Sequence, residues 1–207
     1  KTTNTRELAQ MMVGREVFLD INKQSVKRGK SVMAIKNLSY VSTTGRTMLR
    51  DVSFNLYKGE ILGVAGVEGN GQTELVEVLT GLRDPATGEA SVDGMVVTGK
   101  SPREVRMAGI AHIPEDRLTN GLAVGESIDD NLIVDRFEDP PYRKGFTLNY
   151  DEVEKNGKNM IKEFSILTPN GQLPVSSLSG GNMQKVVVAR EFSSSPKILI
   201  AAQPPRG

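Results

Sequence analysis

The chain of 207 residues carries 26 basic and 25 acidic side chains, for a formal net charge of +1, with 38% apolar residues and no cysteine. This is the balance of an ordinary soluble globular chain with enough apolar side chains for a sizeable core. It excludes a strong overall field for nucleic acid or anionic lipid, and it excludes disulfides and thiolate metal sites. No apolar run approaches the roughly 20 residues needed to span a bilayer, and the first residues lack the apolar stretch of a signal peptide.

In chain order, Leu8, Met11 and Met12 repeat at helical spacing between a cap at Asn4 and Gly14, which predicts a short helix. Residues 22–31 are polar and basic without periodicity and read as a linker. Residues 31–40 and 52–57 read as strands, the second with Val52, Phe54 and Leu56 on one face. The run EILGVAG at 60–66 predicts a fully buried strand of a parallel sheet. It leads into the glycines at 66, 69 and 71 and the helical pattern Leu75, Val76, Leu79, Leu82. Asp93-Gly94 predicts a hairpin turn, and Ser101, Pro102 and Glu104 predict a capped helix ended by Gly109. IAHI at 110–113 reads as a strand running into a loop. Helical segments are expected at 127–134 and 151–164, within a helical subdomain of about 121–178. A helix opening on Gly180 and a buried strand around 197–202 complete the order.

Three stretches carry chemistry. GVEGNGQTEL at 66–75 matches a phosphate-binding loop at Gly66, Gly71 and Thr73, but Gln72 stands where that pattern has lysine. Backbone amides and the N-terminus of the following helix wrap phosphates in such a loop, lysine neutralises them and the hydroxyl helps hold Mg²⁺. Gly66, Gly69, Asn70 and Gly71 retain the cradle and Thr73 the hydroxyl, with Glu74 next. Gln72 offers only amide hydrogen bonds. LSGGNMQK at 178–185 is a second helix start with a hydroxyl and unhindered amides, and 179 − 72 = 107 residues separate Ser179 from Gln72. HIPEDR at 112–117 places three charged residues after a strand. From the residues alone, each stretch also has a plain reading: a ligand-free glycine turn, a helix capped by Ser179, and a solvated turn with a local ion pair. His112 reads as structural, and Tyr40 as a core aromatic or a base-stacking one.

The order and spacing of the loop and the Leu-Ser-Gly-Gly motif resemble those of ABC ATPases. With Asn182, Gln184 and Lys185 the match is to the branch that powers bacterial sugar and nucleoside importers. The resemblance implies an α/β P-loop NTPase fold with a parallel core sheet, an antiparallel β subdomain and a helical subdomain, truncated at its C-terminus. Residues 1–21 then resemble the tail of a preceding ATPase domain, 22–31 a linker, and 32–207 most of a second nucleotide-binding domain. It implies ATP and Mg²⁺ as cofactors, with Gly66, Gly69, Asn70, Gly71, Gln72, Thr73 and Glu74 forming a degenerate P-loop and Thr73 the weak Mg²⁺ contact. Ser179, Gly180, Gly181 and Gln184 would face nucleotide held on the partner domain. Glu115 takes the Q-loop position. Ala202 and Gln203 replace the Walker B carboxylates, which leaves no intact general base and a fragment that is inactive or very weak. Implied partners are the first ATPase domain, transmembrane permease subunits and, indirectly, a solute-binding receptor, at the cytoplasmic face of a bacterial plasma membrane. Two other classes are an ABC-type ATPase acting on nucleic acid, disfavoured by the balanced charge, and a non-catalytic interaction module that kept the fold.

Overall fold

A computed structural model describes residues 26–202. The helix expected near the start lies outside the described residues, as do Gln203 and the prolines after it. Strand β1 (Ser31–Val41) lies between β2 (Thr47–Tyr57) and β3 (Thr87–Val92), with β4 (Met95–Val96) beyond, in an antiparallel sheet of order β2-β1-β3-β4. Val52, Phe54 and Leu56 lean on the core from β2 in the expected alternation. Asp93 and Gly94 turn β3 into β4 with φ of 49° and 84°, the two positive angles that this dipeptide predicts. Gly88 is obligatory for a second reason: its φ is +85° and a β-carbon there would stand 2.3 Å from the Asn37 carbonyl oxygen. Helix α1 (Gln72–Leu79) buries Leu75, Val78 and Leu79 against this sheet. It stops short of Leu82, which is exposed. Helix α2 (Pro102–Met107) has the full capping box, Ser101 accepting from the Glu104 amide and Glu104 from the Ser101 amide.

A second layer begins at β5 (Ile110–Ile113), which pairs in parallel with β8 (Ile198–Ala201). The strand expected at 60–66 does not form. Ile61 is 98% exposed, and Leu62 and Val64 are exposed with it. A parallel strand needs a neighbour for its amides and carbonyls, and among the described residues no strand lies beside this run. Helices α3 (Ile128–Ile133), α4 (Tyr150–Glu163) and α5 (Gly180–Ser193) form the helical part; a two-residue pair, β6 (Arg143–Lys144) with β7 (Thr147–Leu148), sits between α3 and α4. Their apolar core, with Ile128, Leu132, Val175, Val186 and Val187 at its centre, is distinct from the core under the antiparallel sheet.

The helical core contains one discordant group. Asp129 on α3 is 6% exposed, and its Oδ1 has no hydrogen-bond partner. It lies so close to the α-carbons of Gly157 and Gly171 that a β-carbon on either would stand 1.7 or 1.8 Å from that oxygen. Burial, then the charges of Asp130 and Glu154, push its carboxyl up to about 6, against a smaller opposite pull from Lys158. The folded value lies above the unfolded one, so the protonated form favours the fold. That contribution is complete below about pH 4 and lost as the pH rises through about 6. Asp129→Asn, neutral at every pH, is expected to lose this dependence. Urea unfolding should show the wild type gaining about 1 kcal/mol relative to the variant between pH 7.5 and pH 5.

Candidate functional site

The loop before α1 is shaped by its glycines. Gly69 and Gly71 have φ of +80° and +102°, and a β-carbon on Gly71 would stand 2.5 Å from the Met48 carbonyl oxygen. Gly71 caps α1 without a side-chain bond, leaving the first amides of the helix free, as an anion site requires. Gln72 covers that end. Its Nε2 donates to the Val67 carbonyl at 3.2 Å and packs so tightly on Gly66 that a β-carbon there would be 2.1 Å away. The Val67 carbonyl also accepts the Asn70 amide, so the loop is closed on itself by two hydrogen bonds to one oxygen. Thr73 is exposed and Glu74 stands in the first turn of α1. The backbone half of a phosphate cradle is therefore present, its cationic half is absent, and a neutral amide lies across it. For Mg²⁺ the loop offers the exposed Thr73 hydroxyl, a single oxygen of the kind that supplements phosphate oxygens around that ion.

The start of α5 differs. Ser179 is extended, with φ −64° and ψ 155°, and its side chain makes no bond to the helix amides; its Oγ accepts from Asn182 Nδ2 at 3.1 Å instead. Gly180 and Gly181 are exposed, and nothing lies within 4 Å of a β-carbon placed on Gly181. Asn182 also accepts the Leu167 amide at 3.0 Å, and Lys185 donates to the Ser165 carbonyl at 2.6 Å, so this helix holds the segment that follows α4. Gln184 Nε2 is buried without a partner. The two glycine-led helix starts are anchored in different apolar cores, and no hydrogen bond joins them among the described residues.

The turn after β5 is ordered by Asp116, not by an ion pair with Arg117. Asp116 Oδ1 accepts the Leu118 and Thr119 amides at 2.9 and 3.3 Å and Oδ2 accepts the Thr119 hydroxyl at 2.6 Å, bonds that hold its carboxyl below the usual range. The π-helical turn Arg117–Gly121 follows from that cap. Glu115 is exposed at its entrance. Tyr40 is a core residue, 8% exposed, with its hydroxyl receiving Arg83 Nη1 at 2.8 Å, so of its two readings the core aromatic holds. Burial holds the His112 imidazole below the usual histidine range, as befits a structural residue.

Sequence reasoning missed the charged cluster between the two cores. Glu191, 1% exposed, receives Arg190 Nε at 2.9 Å, Arg106 at 2.9 Å and the His112 amide at 3.2 Å, and Arg106 also reaches Asp135 at 2.6 Å. The available signal was Arg190-Glu191 embedded in the apolar run VVVAREF. A cleft of about 360 Å³ beside it, lined in part by Arg103, Arg106, Asp135 and Arg136, lies away from both helix starts, and its arginines are already paired.

Comparison with known proteins identifies the family and the fold. The ABC transporter family profile matches residues 49–204. The guanosine import ATP-binding protein NupO of Bacillus subtilis is 39% identical over 207 residues, all of this chain and 41% of that protein. The ribose import ATP-binding protein RbsA 1 of Agrobacterium fabrum is 36% identical over 206 residues, covering 39% of its length. The chain thus spans about two fifths of the length of these curated relatives. A nucleotide-free ATP-binding cassette from an ABC transporter superposes with a TM-score of 0.68 at 22% identity over 86% of this chain and 71% of that one. By profile, relatives and α/β architecture together, this chain belongs to the ABC transporter family.

Proposed function

We propose that residues 32–207 form the second nucleotide-binding domain of an importer ATPase for a sugar or nucleoside, joined by the linker 22–31 to a first domain whose tail is residues 1–21. Its own P-loop holds nucleotide weakly, and the Ser179-Gly180-Gly181 end completes the site on the other domain. The observation that carries this reading is the contrast between the side chains at the two helix starts: at α1 the neutral Gln72 amide folds onto Gly66 and the Val67 carbonyl with no cation beside it, whereas at α5 the exposed Gly180 and Gly181 have only the Arg117 guanidinium close by. The importer class follows from relatives whose names specify guanosine and ribose import, among them NupO and RbsA 1. On this reading the partners are the first ATPase domain, permease subunits and, through them, a solute-binding receptor, at the cytoplasmic face of the membrane.

Calorimetric titration with ATP, with and without Mg²⁺, tests the first half. The wild-type chain is expected to bind weakly with little help from Mg²⁺, and Gln72→Lys to bind at least about tenfold tighter, because one charge-assisted contact to phosphate is worth roughly 1.4 kcal/mol or more. No heat from either protein would mean that the loop is not a nucleotide site.

A further inference from the structure

The turn Arg117–Gly121 rests on α5 at two points. A β-carbon on Gly121 would lie 3.4 Å from Val187 Cγ2, and one on Gly180 would stand 2.8 Å from Arg117 Nη2. The guanidinium therefore lies against the first residue of α5, where a larger residue at position 180 would push it aside. Its Nε is buried without a hydrogen-bond partner. The nearest acid in sequence, Asp116, has both oxygens engaged in the turn, and no described carboxylate forms an ion pair with Arg117. A helix start carries about half a positive charge, so an unpaired cation beside it gains nothing from the helix; the two fields add, and both favour an anion.

We propose that Arg117 is a phosphate-facing residue of the site at Ser179, Gly180 and Gly181, supplying the positive charge that this motif itself lacks. The inference rests on the reading that the α5 start faces nucleotide held by the other ATPase domain. It gives the turn after β5 a direct part in nucleotide affinity: Glu115, exposed at the entrance of that turn, stands two residues from the guanidinium, so a partner that displaces the turn also withdraws the charge.

The test uses the longer protein that carries both ATPase domains, assembled with its permease, together with this chain alone. In the assembly, Arg117→Ala is expected to raise KM for ATP about tenfold with kcat changed less than about threefold, and Arg117→Lys to recover most of the loss. In this chain without nucleotide, Arg117→Ala is expected to leave Tm unchanged or slightly higher, since it removes a cation from a positive helix end. A fall in Tm of several degrees with KM unmoved would make Arg117 a purely structural residue and overturn the inference, as would a KM unmoved with Tm intact. Ser179→Arg in the same assembly separates the two levels. If it leaves hydrolysis intact, the reading of the α5 start fails; if it abolishes hydrolysis while Arg117→Ala changes nothing, only the role of Arg117 fails.

Discussion

Glu191→Ala is expected to destabilise the chain by about 3–5 kcal/mol, a large share of the 5–15 kcal/mol that holds a typical domain together. Glu191 is 1% exposed and accepts from three elements: Arg106 on α2, the His112 amide on β5 and Arg190 on its own helix. Removing its carboxylate leaves Arg190 buried with no carboxylate and an amide donor unmet, while Arg106 retains Asp135. The cost is mainly that of stranding buried donors, not of losing an attraction. Glu191→Gln keeps the shape and one acceptor oxygen and is expected to cost about 1–3 kcal/mol. Urea unfolding of both variants checks the ranking, and equal midpoints would show that the carboxylate charge is immaterial. Because Glu191 joins the sheet core to the helical core, the alanine variant is also expected to separate one transition into two when sheet and helix are followed by different probes.

Ser179→Arg is expected to abolish transport in the longer protein, whereas Gln72→Ala is expected to leave it within about twofold. Position 179 stands at the mouth of α5 with its backbone extended, and an arginine there adds bulk over the free amides that the proposed site uses. Gln72 offers the opposite case: its amide binds only the loop itself, through Val67, so alanine removes a cover from a site without a cation. Removing one donor that stabilises a transition state typically costs about 10²–10³ in rate, so the two variants should be separated by at least that factor. Solute uptake and ATP hydrolysis in membrane vesicles measure it. The opposite ranking would sink the division of labour between the two domains.

The local devices were legible in the sequence because their physics is local. The Asp93-Gly94 turn, the Ser101–Glu104 capping box and the helix opening on Gly180 depend on backbone angles and on side chains three residues away, and each forms as read. The order and spacing of the glycine-rich loop and the Leu-Ser-Gly-Gly motif likewise pointed to the ABC transporter family, whose profile matches residues 49–204. What the sequence misjudged was decided by neighbours distant in the chain. The run at 60–66 has the composition of a buried strand, yet a strand exists only beside another, and none lies there among the described residues. Tyr40, read from the sequence as a core aromatic or a base-stacking one, is a core residue, and what the sequence did not show is that its hydroxyl accepts from Arg83, 43 positions away. Asp129 and Arg117 look in sequence like ordinary surface charges on a helix and a turn, and Glu191 stands out only by its apolar neighbours in VVVAREF. Only tertiary packing buried Asp129 against two glycine α-carbons, made Glu191 a junction of three elements, and laid Arg117 against Gly180. Composition and periodicity determine which segments fold and which face is apolar; the burial of a charge, and therefore its chemistry, depends on what the rest of the chain brings to it.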